Sequence, residues 1–510
     1  MSKRVKTLLI VLLVVVVLGG TLTALLLNPP AKEEEASSTP EVDESVQLVD
    51  KTSKDDDKTA VTVKKVEATV GKETFVISPN KEKALCVEKY KDLPISTEAI
   101  EALTNSLLDV RADKKVVDKA ANPADFGLDK PKATYTVTYS DNTTVTLTVG
   151  NEEPLKTGYY FQISGKDAVY LMSSVDVYLK PSSGYIGTSM VTAPTPKEDD
   201  KNGQVQVTEL ELSGTARKQP VALHFRKNSE SDEFQYSTHV ITKPYRKGTS
   251  MNLGETFFST ITSLYASDVE TAYPTKEQLK KYGLDKPYSV AKLQLAIVTT
   301  EEKDTSSKTD EDEQAINKYY NFRDYVIRLG GKNSEGQYYA MVDGVDVVYL
   351  VSPDSVQWAE KTYNDLADTM LFMMNIDTVG SISVDISGKK TTFNLTHFKA
   401  NEDNTNETLE VKVDGKKYDT DNFRNLYQVM LAVTRSGEMT GKVTGSPEFT
   451  LTVNSLKGQA LVVAKMYKYD ANQYAVQLAD GDTYLVKASV VENLINQINN
   501  YLAGKTVVVR

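Results

Sequence analysis

The sequence predicts an α+β protein: an N-terminal transmembrane helix followed by three similar modules, each a mostly antiparallel sheet with a helix packed on one face. Three observations carry this. An uncharged, Val/Leu-rich run fills residues 7–27. The motif Gly-Leu-Asp-Lys-Pro occurs at residues 127–131 and again at 283–287. After each copy, segments that alternate apolar and polar residues recur in the same order, and alternation with period two marks half-buried strands.

The anchor comes first. A run of that length spans a bilayer as a helix. Lys3, Arg4 and Lys6 precede it and Glu33, Glu34 and Glu35 follow it. The positive-inside rule then puts the N-terminus in the cytoplasm and the bulk of the chain outside, at the cell membrane. The run is longer than the apolar core of a signal peptide, and no Ala-x-Ala site ends it, so it reads as uncleaved. Residues 1–6 form a cytoplasmic basic stub and 7–27 the anchor in the lipid bilayer. Asn28-Pro29-Pro30 stops the helix, and residues 28–45 read as a flexible tether. A polar run at 51–58 holds Asp55, Asp56 and Asp57 but lacks the glycine turn and distal glutamate of a calcium loop.

The modules are expected at residues 46–190, 205–374 and 375–510, with a linker at 191–204. In the first, a hairpin at 61–70 and 73–77 turns at Gly71-Lys72. A helix follows Ser96 with Ile100, Leu103, Leu107 and Val110 on one face. Strands at 134–139, 143–149, 158–163 and 169–171 complete it. In the second, strands at 205–212 and 221–225 precede a helix started by Asn252 with Glu255 three residues on, whose apolar face is Phe257, Phe258, Ile261, Leu264 and Tyr265. Strands at 293–298, 325–329, 337–342 and 348–350 follow, and the charged stretch 301–314 reads as a solvated hairpin insertion. The third lacks the motif but keeps the order: strands at 382–386 and 391–395, a helix after Thr420 with Phe423, Leu426, Tyr427, Met430 and Leu431 aligned, then strands at 448–453, 461–467, 472–478 and 483–486.

The repeated motif reads as a helix stop. Thr275 caps a short helix, Gly283 ends it in the left-handed conformation, Leu284 folds back, and Pro287 blocks renewed helix. Asn122-Pro123 and Gly127 do the same in the first module.

The search for chemistry yields little. The chain of 510 residues is 40% hydrophobic and 25% charged with net charge −11, a globular balance that disfavours a nucleic-acid partner. The single cysteine, Cys86, sits in an apolar strand-like run and reads as buried and inert. His224, His239 and His397 form no metal-binding pattern, so no metal or cofactor is expected. Gly-Thr-Ser-Met at 187–190 and 248–251 looks like a serine-protease motif, but no histidine precedes Ser189, and those before Ser250 lack the protease pattern. No phosphate loop is present. No catalytic residue is assigned. Tyr159, Tyr160, Tyr338, Tyr339 and Tyr474 suit half-buried strands, and a sugar or peptide groove is the alternative.

The elements at 126–131 and 282–287, with the Tyr-Tyr and Val-Tyr-Leu strands after them, resemble the bacterial family known as domain of unknown function four-three-four-zero. The resemblance covers most of residues 46–360 and, more weakly, the last module. One departure is Leu85-Cys86-Val87, where relatives often place a tryptophan strand. The resemblance implies single-span extracytoplasmic proteins encoded beside ABC-type transporter components related to gliding-motility export. The expected function is therefore a non-enzymatic scaffold or accessory subunit, with transporter permease subunits as candidate partners. A cell-wall glycan or peptide binding module is the alternative, and an envelope hydrolase ranks third.

Overall fold

The computed structural model describes residues 45–52, 60–230, 233–301, 316–398 and 409–509. The expected anchor at 7–27, the tether, the aspartates at 55–57 and most of the charged insertion lie outside the described residues. Among the described residues no helix is long and apolar enough to cross a membrane. The chain divides into two compact units. One holds residues up to Pro79 with Glu101–Lys180, and the other holds Asn80–Ile100 with Pro181–Arg510.

In the first unit, hydrogen-bonded neighbours run Glu73–Pro79, Val63–Val70, Ala133–Tyr139, Thr144–Glu152, Tyr159–Ile163, Val169–Met172 and Lys114–Val117. All these pairings are antiparallel. Ala133–Tyr139 alternates buried and half-buried residues along its whole length, so one sheet face carries the core and the other is wet. The helix Thr97–Leu108 places Leu103 and Leu107 in that core. It stops at Leu108. Val110, expected on its apolar face, is instead a buried residue of the strand Asp109–Ala112, which pairs with Val46–Asp50. Tyr139 and Tyr178 donate their hydroxyls to the carbonyls of Leu107 and Ser106 at 2.7 and 3.0 Å, tying the helix end to the sheet and its flank.

The second unit contains two nine-stranded sheets built to the same plan. In the first of these, an inner strand Gln204–Ser213 pairs on one side with Val221–Phe225 and on the other with Ser289–Glu301. The meander continues through Ile316–Lys332, Tyr338–Val342 and Val347–Val351. Its outer strand is Asp268–Ala272, which precedes the meander in sequence yet pairs with the meander's last strand. In the other sheet Val379–Ile386, Lys389–His397, Phe449–Ser455, Ala460–Lys468, Gln473–Leu478 and Thr483–Lys487 take the corresponding places. Gly437–Glu438 is its late-pairing edge. The strands flanking the charged insertion stay paired as far as Glu301 and Ile316.

Helices cover one face of each. Gly254–Thr262 buries Phe257 and Ile261, while Phe258 is half-buried. Tyr265 departs from the expected apolar face: it lies past the helix end, is 60% exposed and bridges Ser189. The side chains of Asn252 and Glu255, expected to start this helix, are outside the described residues. Thr420–Leu431 buries Phe423, Leu426, Tyr427 and Met430, and Asp419 caps it by accepting from the Asn422 N–H at 2.6 Å. Beside it packs Ala488–Leu502, with Val491, Leu494, Ile498 and Tyr501 buried. Asn80–Ile100 contributes Leu93 to the core under the middle sheet, and Ile95 bridges Ile186. Cys86 lies in the strand Leu85–Val87 and is buried; desolvation, then Glu88 and Asp92, push its thiol up.

Candidate functional site

The repeated motif is built as a lock between a helix stop and a strand. Thr275 Oγ1 accepts from the Gln278 N–H at 3.2 Å, capping Lys276–Lys281. Gly283 ends that helix at φ 71°, and the Leu284 N–H returns to the Leu279 carbonyl at 2.9 Å. In the first module Asn122 caps Pro123–Phe126, Gly127 has φ 69°, and the Leu128 N–H reaches the Pro123 carbonyl at 3.0 Å. The aromatic residue before each glycine then packs on the second tyrosine of the Tyr-Tyr strand. Phe126 meets Tyr160 edge-on with centroids 4.9 Å apart, and Tyr282 meets Tyr339 at 4.3 Å. A second glycine makes this possible. A Cβ on Gly150 would lie 2.2 Å from the Phe126 carbonyl oxygen, and one on Gly330 would lie 2.1 Å from that of Tyr282.

The other tyrosines named from sequence are likewise occupied. Tyr338 is buried and donates to Glu360 at 3.0 Å; Tyr474 is buried and donates to Glu448 at 2.8 Å. Tyr159 lies beneath the Lys132 ammonium. Within the second unit, Tyr338 and Tyr339 stand in one sheet and Tyr474 in the other.

Two of the histidines bind strand carbonyls. His239 Nε2 binds the Val207 carbonyl at 2.9 Å, and its ring stacks on Phe258 with centroids 4.0 Å apart. His397 Nε2 binds the Val379 carbonyl at 2.8 Å in the corresponding part of the third module. Burial holds the His239 imidazole down to about 4 against an ordinary 6.5. His224 pairs with Glu230 at 2.8 Å. Ser189 Oγ faces Thr192 Oγ1 at 3.1 Å, and the backbone N–H of Ser250 reaches the Leu366 carbonyl. Among the described residues no cluster of His, Cys, Asp or Glu is arranged to hold a metal ion.

The buried charges gather instead at joints. Arg217 donates all of its guanidinium N–H groups: to the carbonyls of Lys361, Ser213, Trp358 and Ala359, and to Ser289 Oγ, at 2.6–3.0 Å. Lys247 is buried and donates to the Met370 and Leu371 carbonyls at 2.6 and 2.9 Å, tying the middle sheet to the chain entering the third. Desolvation pulls its ammonium down to about 8, opposed by Asp368. Arg435 Nη2 meets Asp482 at 2.6 Å, and Asp482 also accepts from the Tyr363 hydroxyl at 2.7 Å. Burial, then Asp482, raise Tyr363. The Arg435 guanidinium lies 4.5 Å from the Tyr484 ring centroid and also binds Asn364.

Beside this joint is a cleft of about 190 Å³. Leu371, Phe372, Met373, Met374 and Leu461 give it an apolar floor, and Arg246, Asp368 and Asp480 stand at its rim. The Arg246 backbone N–H donates to Asp480 at 3.0 Å and its guanidinium to Glu233, while Asp368 accepts from the Met370 N–H at 3.1 Å. Sequence reading missed Arg246 and Asp480, which meet across 234 residues of chain.

No curated protein and no solved structure matches the chain. The family described as "Domain of unknown function (DUF4340)" matches residues 87–287 and again residues 255–436. The matched unit is out of phase with the sheets. Each match starts near the helix of one module and ends after a helix of the next, so it holds the meander of one sheet and the hairpin of its successor. The two matches overlap and together cover well over half of the chain, so the protein belongs to the DUF4340 family.

Proposed function

We propose that the chain is a membrane-anchored extracytoplasmic scaffold, an accessory subunit of an ABC-type transport complex, held to the bilayer by residues 7–27. The observation that supports this best is where the buried charge goes. Arg217, Lys247, Arg435 and Asp482 are all used in joining segments to one another, and Lys247, which also lines the cleft, spends its ammonium on the Met370 and Leu371 carbonyls. A molecule that carries load between partners needs such joints, because each buried ion left unpaired would cost several kcal/mol. The family resemblance, with its transporter-linked relatives, supports the same reading by association.

The test is crosslinked affinity purification of the full chain from native membranes, with partners identified by mass spectrometry. Reproducible recovery of permease or ATPase subunits is expected. Recovery of wall polymer alone, or of nothing, would overturn the scaffold reading.

A further inference from the structure

Two extra pieces of chain occur together in the middle module. Val191 and Leu371 hold matching places: each donates its N–H to a carbonyl just past a helix end, that of Leu264 or Val433, at 3.1 and 2.7 Å. From Leu371 a short turn, Ile376–Thr378, leads into the third sheet at Val379. From Val191 the chain runs on to Gln204 before the middle sheet begins. The hairpin beside that entry is longer as well. It stays paired out to Glu301 and Ile316, where its counterpart closes at Asn454 and Ala460.

Side chains of the long hairpin hold the backbone of the long connection. Tyr325 Oη donates to the Thr192 carbonyl at 2.9 Å and accepts from the Thr192 N–H at 3.3 Å. Asn321 Nδ2 donates to the Thr195 carbonyl at 3.0 Å. Tyr320 Oη accepts from the Lys197 N–H at 3.2 Å and donates to Asp200 at 2.8 Å. The Lys197 ammonium stands 4.9 Å from the Tyr320 ring centroid. Residues 192–197 therefore run antiparallel to residues 320–325. In a regular strand Tyr320 and Tyr325 would face opposite sides, being an odd number of residues apart. A bulge corrects this: the register shifts between Leu295 and Ile297, with Asn321 at φ 55°, so Tyr325 and Tyr320 stand opposite Leu293 and Ile297 on one face.

The connection is shaped to fit this rack. Pro194 and Pro196 fix their own φ and bias Ala193 and Thr195 to extended backbone. Val191 and Pro194 are buried while Thr192 and Thr195 are exposed, the three-residue repeat of a polyproline II helix. Such a helix rises about 3.1 Å per residue and a strand about 3.3 Å, so the two stay in step. The rack takes N–H groups from Thr192 and Lys197, on either side of the prolines, which have none to give.

We infer that Tyr320, Asn321 and Tyr325 form a recognition site for a proline-containing extended segment that ends in lysine, and that residues 191–197 of the chain fill it as a strap. Tyrosine hydroxyls reading the backbone of a stiff, pre-extended segment are the chemistry of polyproline recognition, met here within one chain. The strap braces the hairpin. Before Ile327, Ile316–Lys332 has Ser289–Glu301 as its one strand partner among the described residues, and the strap adds a second hold from the face. The inference does not draw on the scaffold reading, and either can fail alone.

The experiment is hydrogen exchange by mass spectrometry on the purified full chain. Residues 191–203 are expected to be protected, and to exchange at least tenfold faster in the double variant Tyr320→Phe, Tyr325→Phe, while Gln204–Ser213 keeps its protection. Pro194→Ala with Pro196→Ala, which alters only the strap, should loosen the same segment and decides the matter if the tyrosine variant folds poorly. Recognition is read in trans with a fluorescein-labelled Val-Thr-Ala-Pro-Thr-Pro-Lys peptide. A chain carrying Ala193→Gly, Pro194→Ser, Thr195→Gly and Pro196→Ser should bind it saturably. The wild type should bind it at least tenfold more weakly, because its own strap competes at an effective concentration of about a millimolar. Exchange of 191–203 that is equally fast in the wild type and the tyrosine variant would overturn the proposal. So would no binding of the peptide to the released chain, or binding that Tyr320→Phe with Tyr325→Phe leaves unchanged.

Discussion

At the scale of single residues, His239 shows how a titratable side chain serves the backbone of a strand. Its imidazole is enclosed by Phe258 and bound to a carbonyl, so the folded chain keeps it neutral down to about pH 4. An unfolded imidazole takes up its proton near 6.5. A group whose folded value is depressed contributes stability that is complete above the unfolded value and is lost as pH falls through the folded one. Between pH 6.5 and 4 this residue should therefore cost the protein up to about 3 kcal/mol. His239→Gln is expected to melt lower than wild type at pH 7 and to show a shallower fall in Tm over that window. Parallel curves for the two proteins would show that the imidazole is not held neutral. His224, His239 and His397 were each visible in the sequence, but their partners were not. The carbonyls that His239 and His397 bind lie 32 and 18 residues back along the chain and leave no mark in local spacing.

At the scale of elements, the helix-stop lock makes a sharper prediction. Gly330→Ala places a methyl group against the Tyr282 carbonyl. Neither backbone can yield without breaking the Gly331 N–H bond to that carbonyl, 2.8 Å long. A loss of about 2 kcal/mol or more is expected in urea unfolding. Gly336→Ala, at an open turn, serves as the control for added bulk, though its positive φ carries its own smaller strain. A Gly330→Ala loss no larger than the control's would show that the lock carries no strain. Much at this scale was legible. Strands such as Ala133–Tyr139 were readable because one wet face enforces alternation, and the Gly-Leu-Asp-Lys-Pro stop because φ near 70° favours glycine. The late-pairing edges Lys114–Val117, Asp268–Ala272 and Gly437–Glu438 were not, since they are short and owe their conformation to the strand they join. The helix Ala488–Leu502 has no counterpart in the sequence reading. Val491, Leu494, Ile498 and Tyr501 do fall on one helical face, while its β-branched start and its asparagines weaken the local propensity.

At the scale of the molecule, the joint between the middle and third sheets decides how the second unit unfolds. Arg435 and Asp482 are both buried, and Asp482 would be left facing Tyr363 alone if the guanidinium were removed. Arg435→Ala should cost about 3 kcal/mol. In calorimetry it should split the transition of the second unit into two, because each sheet keeps its own core. A single unsplit transition would show that the apolar contacts across the joint, around Leu371 and Phe372, suffice to couple the two. None of this was readable from composition: Lys247, Arg435 and Asp482 look like surface charges until the topology closes over them.

The half-module offset of the family unit sets a counting rule. A unit that ends one sheet and begins the next makes no whole sheet by itself. Two tandem units complete three sheets only because the hairpin Val63–Val70 with Glu73–Pro79 stands before them and the meander from Phe449 to Lys487 stands after them. A fragment cut at residues 87 and 436 would hold every residue the family recognises and still bare two raw sheet edges, so it should aggregate where the full chain does not. A relative with n such units should, by the same rule, build n plus one sheets, and lengthening the protein requires no new way of ending it.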